Sequence, residues 1–349
     1  MTTYRPVLAL ASVISLALFC GACGKESTTI EPTKLKSFAA LPEAHASGAN
    51  DPAAAKIALG RMLYYDARLS KGQTLSCNSC HPLSTYGVDG KPTSEGHLGQ
   101  RGARNSPTVY NAALHFVQFW DGRAPDVEKQ AGGPLLNPVE MAMPSEKAVV
   151  AVLKSMPGYV NAFRRAFPGE KNPVTFIHAT EAIGQFERGL ITPSRWDKFL
   201  KGDHAVLTPE ERAGFNHFIA AGCDTCHSGS LVGGNAFQKL GVLKEYPEAS
   251  DPGRYQVTRN QNDRMYFKVS PLRNVAMTGP YFHTGKVATL DDAVRQMAQY
   301  QTGKELATVD REAIVTWLKT LTGDIDANYI KQPELPKSTS RTPRARATA

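Results

Sequence analysis

Cys77 and Cys80 stand three residues apart, and His81 follows directly; the same trio returns as Cys223, Cys226 and His227. Thiols at this spacing admit several chemistries. They could form disulfides, act as two redox dithiols, or share one zinc ion. A dithiol enzyme needs a strand–helix context around the pair, and the flanking sequence shows none. A four-cysteine zinc site leaves both histidines without a role. Cys-x-x-Cys-His is the attachment pattern of c-type haem. The two thiols add to the vinyl groups, the spacing puts both on one side of the macrocycle, and the adjoining histidine falls under the iron as proximal ligand. Two copies, in a chain with only four cysteines beyond residue 23, point to two covalent haems.

The elements that must position these motifs read as helices. "LTPEERAGFNHFIAAGCDTCH" opens with Thr208 as N-cap, Pro209 in the first turn and Glu211 at N3, a capping box. Phe215, Phe218 and Ile219 then recur at helical spacing. Upstream of the first motif, Asp51 and Pro52 start a helix through Ile57, Leu59 and Leu63. Further helices are predicted from Thr175 to Leu190, from Thr289 to about Gln301, and from Thr308 to Leu321, stopped by Gly323. No long alternating strand pattern is present. "SPTVYNAALHFVQFWDGRA" and "SPLRNVAMTGPYFHTGKVA" echo each other, with Trp120 where the second copy has His283. The expected fold is mainly α: two cytochrome c-like domains related by internal duplication, each with one covalent haem.

The chain has 349 residues and an apolar fraction of 42%, enough for two domains with real cores. Arg5, the apolar run from Pro6 to Phe19 and the small residues that follow read as an export signal too short to span a bilayer as a mature helix. Cys23, after Gly21 and Ala22, is a candidate lipid-attachment cysteine, although Cys20 occupies a position where leucine is usual. Of the net charge of +8, +4 lies in the tail and +1 on Arg5, so the body carries +3. Such a balance does not predict nucleic-acid binding, which needs a focused basic footprint. The expected organisation is a signal at 1–23, an N-terminal haem domain at 24–195, a C-terminal haem domain at 196–330, and a basic, disordered tail at 331–349.

The chain resembles the bacterial dihaem cytochrome c peroxidases over nearly all of its mature length. The resemblance is carried, in order, by "SCNSCH", "GVDGKPTSEGHLGQRGARNSPTVYNA", "QFWDGRA", "NPVEM", "GCDTCHSG", "LRNVAMTGPYFHTG" and "DDAVRQM". It implies a periplasmic enzyme that reduces hydrogen peroxide at the N-terminal haem. The C-terminal haem would take electrons from a small cytochrome c or cupredoxin. His97, in a loop rich in Gly87, Gly90, Gly96, Gly99 and Gly102, matches the histidine that blocks the N-terminal iron in the resting state. Glu140, after Pro138 near the start of a helical segment, matches the acid–base residue. Trp120 matches the tryptophan between the haems. Met297 matches the distal ligand of the C-terminal iron, with Met277 as rival, and His283 matches a histidine near the haems that is not a ligand. Asn105, Thr278 and Pro280 match an interdomain calcium site. The donor, lipidation and a homodimeric state are left open. So are two other classes: a dihaem electron-transfer protein, and a related dihaem oxidase acting on another substrate. In tryptophylquinone-forming relatives the methionine position carries tyrosine, so Met297 argues against that branch.

Overall fold

The computed structural model describes residues 1–2, 28–43 and 52–346. The expected export signal beyond residue 2, with Cys20 and Cys23, and Asp51 lie outside the described residues. Among these residues the chain forms twelve α-helices. Those up to residue 200 are α1 (Pro32–Leu35), α2 (Pro52–Tyr65), α3 (Cys77–Cys80), α4 (Val127–Leu136), α5 (Glu146–Lys154), α6 (Pro157–Ala166), α7 (Phe176–Glu187) and α8 (Arg195–Leu200). Then follow α9 (Pro209–Ala220), α10 (Tyr255–Thr258), α11 (Leu290–Met297) and α12 (Thr308–Lys319). The starts follow local chemistry. Thr175, Thr208 and Thr289 each accept a hydrogen bond from a backbone N–H of the first turn, and Thr208 and Glu211 complete the capping box.

Two helix pairs organise the cores. In the N-terminal half α2 crosses α7, with α4 and α6 alongside. Leu59, Leu63, Val149, Leu153, Tyr159, Phe163 and Ile183 are buried there. In the C-terminal half α9 crosses α12 over Trp196, Phe215, Phe218, Ile314 and Trp317. Burying a large apolar side chain contributes about 1.5–3 kcal/mol. These clusters, rather than intrinsic propensity, therefore hold such short helices. Each crossing is close enough to demand glycine. A Cβ on Gly60 would lie 1.8 Å from the carbonyl oxygen of Ala182, and one on Gly214 would lie 2.0 Å from that of Ala313.

The two echoing segments also fold alike. Asn111 and Asn274 both take left-handed φ (59° and 61°), as do Phe119 and Phe282 (65° and 63°). Isolated antiparallel bridges join Gln118 to Ala124 and Tyr281 to Val287. Both asparagine amides donate to Thr192 Oγ1, at 2.8 and 2.9 Å, which ties the two turns to one point between the halves.

Several expectations change. α11 ends at Met297 and continues as a π-helical turn, Ala298–Thr302, stopped by Gly303 at positive φ. Two short strands, β1 (Phe237–Lys239) and β2 (Tyr266–Lys268), pair antiparallel with Phe237 opposite Lys268. Their three-residue length hides them from any periodicity test. Glu140 lies in a turn after α4, not near a helix start, because Pro138 follows the C-cap Asn137 and α5 begins only at Glu146. Residues 331–346 of the tail have no regular structure. Arg68 donates to the carbonyl of Pro336 (2.7 Å) and Gln73 to that of Pro343 (2.7 Å). Thr339 Oγ1 donates to the carbonyl of Ser155 (2.9 Å), and the Arg346 N–H to that of Lys71 (2.9 Å). Conversely, Ile30 and Phe38 join the C-terminal core, and the Leu41 N–H donates to Asp197. The segment 28–43 and the tail thus each pack on the opposite half, across the expected boundary at 195/196.

Candidate active site

No disulfide joins the four motif cysteines in this structure. Ser76 and Ser79 close a capping box around the single turn Cys77–Cys80, so both thiols leave one short helix. Cys223–Thr225 forms the equivalent tight turn in the second copy. Both histidines are neutral donors to the backbone. The Nδ1–H of His81 donates to the carbonyl of Gly87 (3.2 Å), and that of His227 to the carbonyl of Val232 (3.3 Å). Burial lowers the pKa of each, that of His227 to about 4. A neutral imidazole with Nδ1 engaged presents Nε2 to a metal, the usual arrangement of a ligating histidine.

A cavity of about 540 Å³ lies beside the second motif. Cys223, Cys226 and His227 line it, together with Phe267 from β2 and with Val294 and Met297 from α11. The wall is largely apolar, with Phe218, Leu240, Val275, Leu318 and the ring of Tyr281. Paired thiols, a neutral imidazole, a thioether and an apolar wall together fit a covalently held c-type haem. Met277 is 48% exposed and does not line this cavity, which separates it from Met297. Met297 packs in one cluster with Trp120, Phe282 and Tyr300, on the last residue before the π turn.

The N-terminal site gathers different groups. His97 is 6% exposed, and its Nε2 is buried without a hydrogen-bond partner, as suits a nitrogen that binds iron rather than protein. Its backbone N–H donates to the carbonyls of Val139 (3.1 Å) and Glu140 (2.8 Å). A Cβ on Gly96 would lie 1.9 Å from the Val139 carbonyl oxygen, so only glycine permits this approach. Asn137 Nδ2 donates to Glu140 Oε1 at 2.7 Å. Burial raises the Glu140 pKa, opposed by the Arg123 charge and by the Asn137 bond. The fold therefore brings His97 and Glu140 together.

Trp120 stands between the halves. Its Nε1–H donates to the carbonyl of Asn105 (2.9 Å), and its carbonyl accepts from the Lys268 N–H (2.7 Å). His283 lies edge-on to it at 6.3 Å and stacks on Phe267 at 4.3 Å. Asn105, Thr278 and Pro280 line the same cavity as Trp120. Asn105 Nδ2 donates to the carbonyls of Lys91 (3.1 Å) and Pro92 (3.3 Å), which leaves Oδ1 to offer a cation. Sequence reasoning missed Asn137 and Arg123 beside Glu140, and the buried pair Lys268–His115 behind Trp120. Asn137 and Arg123 fall inside the stretches "NPVEM" and "QFWDGRA", but nothing local singles them out; Asn137 lies within hydrogen-bond reach of Glu140 because of the turn after α4.

Residues 54–205 match the di-haem cytochrome c peroxidase family. The chain is 47% identical over 292 residues to the cytochrome c551 peroxidase of Pseudomonas aeruginosa, covering 82% of this chain and 83% of that one. It is 48% identical over 290 residues to the cytochrome c551 peroxidase of Nitrosomonas europaea, covering 82% and 85%. A solved MauG-like protein associated with microbial copper homeostasis superposes with a TM-score of 0.73 at 28% identity, covering 84% of this chain and 97% of that one. The chain belongs to the di-haem cytochrome c peroxidase family.

Proposed function

We propose that this protein reduces hydrogen peroxide to water in the periplasm, with electrons from a small cytochrome c or cupredoxin. Two electrons and two protons convert one peroxide to two waters. The observation that carries the reading is the meeting of His97 and Glu140 in the half that holds the first Cys-x-x-Cys-His motif. The two haems supply the iron at which peroxide is cleaved and a second centre that receives donor electrons. Cys77 and Cys80 would hold the first, with His81 as its proximal ligand. Cys223 and Cys226 would hold the second, with His227 and Met297 as its ligands.

His97 acts as a removable block through its free Nε2. Glu140 takes a proton from the near peroxide oxygen and delivers it to the far one. Its raised pKa brings it closer to the working pH, where a proton shuttle is most effective. Trp120, fixed at its indole N–H and its backbone carbonyl, keeps an aromatic ring between the halves. Asn105, Thr278 and Pro280 hold calcium, which ties the two halves beside Trp120. The matched glycine crossings and the matched turns at Asn111 and Asn274 support an origin of the two halves by internal duplication. An N-terminal signal directs export, with Cys23 as the candidate lipid anchor; among the described residues no helix is long and apolar enough to cross a membrane.

The test is peroxide turnover by the purified protein with a reduced monohaem cytochrome or cupredoxin, alongside mass spectrometry of the haem adducts. Two adducts and peroxide-dependent donor oxidation are expected. Two adducts without turnover would leave an electron-transfer protein, and fewer than two would overturn the reading.

A further inference from the structure

Lys268 closes β2 and lines the cavity of the second motif, yet it is only 6% exposed. Its Nζ lies 2.8 Å from His115 Nδ1 and donates to the carbonyl of Val117 at 3.2 Å. Among the described residues no carboxylate touches it, and a buried charge without a counter-ion is costly. Burial accordingly lowers its pKa to about 7 and pushes that of His115 well below the ordinary histidine value. His115 Nε2 is itself buried without a partner. Two basic groups in contact do not both carry charge, so the pair holds one proton or none. Among the described residues, the groups that act on the amine are His115, from the turn after Ala112–Leu114, and Asp121, beyond Trp120. Asp121 is in turn held by Arg104 and Arg123. Phe237, opposite on β1, is uncharged.

We propose that Lys268 and His115 form a proton site linked to reduction of the C-terminal centre: the pair takes up one proton from solvent when the haem in this cavity receives one electron from the donor, and releases it when that electron moves on. The physical basis is charge compensation. Negative charge added in a low-dielectric cavity favours the protonated form of a basic group on its wall, and by linkage the protonated group favours reduction. Lys268 reaches Trp120 through its backbone N–H, so substituting the side chain leaves that bond in place. Lys268 is thus a positioning residue at its backbone and a charge-compensating residue at its amine. The inference rests on the reading that this cavity holds a haem.

The test is a spectroelectrochemical titration of the C-terminal haem in the full holoprotein, from about one pH unit below neutrality to about two above, after its two haem adducts have been counted. At a fixed applied potential the reduced-to-oxidised ratio should fall as pH rises, by at most about tenfold per unit for one proton per electron. Lys268→Met should flatten that dependence while the haem count stays at two. Lys268→Arg, charged throughout, should also be flat, but at the high ratio the parent shows at low pH. Should Lys268→Met fail to take up haem, Lys268→Arg decides alone. One adduct in the parent overturns the proposed function. Two adducts with a flat parent curve, or a slope that survives in the Lys268 variants, overturn only this inference.

Discussion

The backbone N–H of His97 donates to the carbonyl of Glu140 at 2.8 Å, so the proposed iron-blocking residue and the proposed proton shuttle share one backbone contact. His97 cannot swing away without breaking it, and the Glu140 segment feels every movement of the His97 loop. Gly96 makes the contact possible by its close approach to Val139.

Gly96→Ala should therefore dislodge the loop. Overpacking of this kind costs about 1–3 kcal/mol, which corresponds to a shift of about 5–150-fold toward the released loop. The oxidised variant should gain high-spin absorption and react with peroxide before any reduction. A visible spectrum and stopped-flow mixing check this; a parent-like low-spin spectrum would refute the role of Gly96.

Glu140→Gln keeps the size of the side chain but not its basicity, so O–O cleavage should slow by roughly 10²–10⁴-fold. The pH profile carries a second test. The base form is the carboxylate, so the rate falls as pH drops through the Glu140 pKa. Burial already raises that pKa, and the Asn137 bond opposes the rise. Asn137→Ala should move the acid limb to higher pH. A limb that stays in place would remove Asn137 from the site.

Met297→His should lower the potential of the C-terminal haem by replacing a thioether with imidazole. Met277→Leu should leave that potential unchanged, because Met277 is exposed and away from the cavity. Potentiometric titration of both variants separates the two methionines.

Deleting residues 332–349 should loosen the loop 68–73. The bonds from Arg68, Gln73 and Arg346 contribute on the order of 1 kcal/mol each, offset by the entropy of ordering the tail. Amide exchange in 68–73 should accelerate while that of α9 and α12 stays the same. Equal exchange in the truncated and full chains would show that the tail lies on the surface without holding it.

Arg273→Met should destabilise the C-terminal half by about 3–5 kcal/mol. Arg273 pairs with Asp197 at 2.7 Å in a fully buried setting, and its removal leaves that carboxylate uncompensated. Thermal unfolding measures the loss. Removing both charges together, as Arg273→Met with Asp197→Asn, should recover part of it.

Local chemistry was legible in the sequence. Two thiols and a histidine must lie within five residues to hold a haem, and the capping threonines act within one turn, so Cys77–His81, Cys223–His227, Thr175, Thr208 and Thr289 could be read directly. The proposed roles of His97, Glu140, Trp120 and Met297 rest on resemblance, because none carries a local signature. Tertiary structure alone decided that the His97 loop is held against Glu140, that the segment 28–43 and the tail each pack on the opposite half, and that Lys268 meets His115 across 153 positions of sequence. Such contacts depend on how the two helix pairs pack and close the loops between them. A pattern confined to a few neighbouring residues carries no record of that closure.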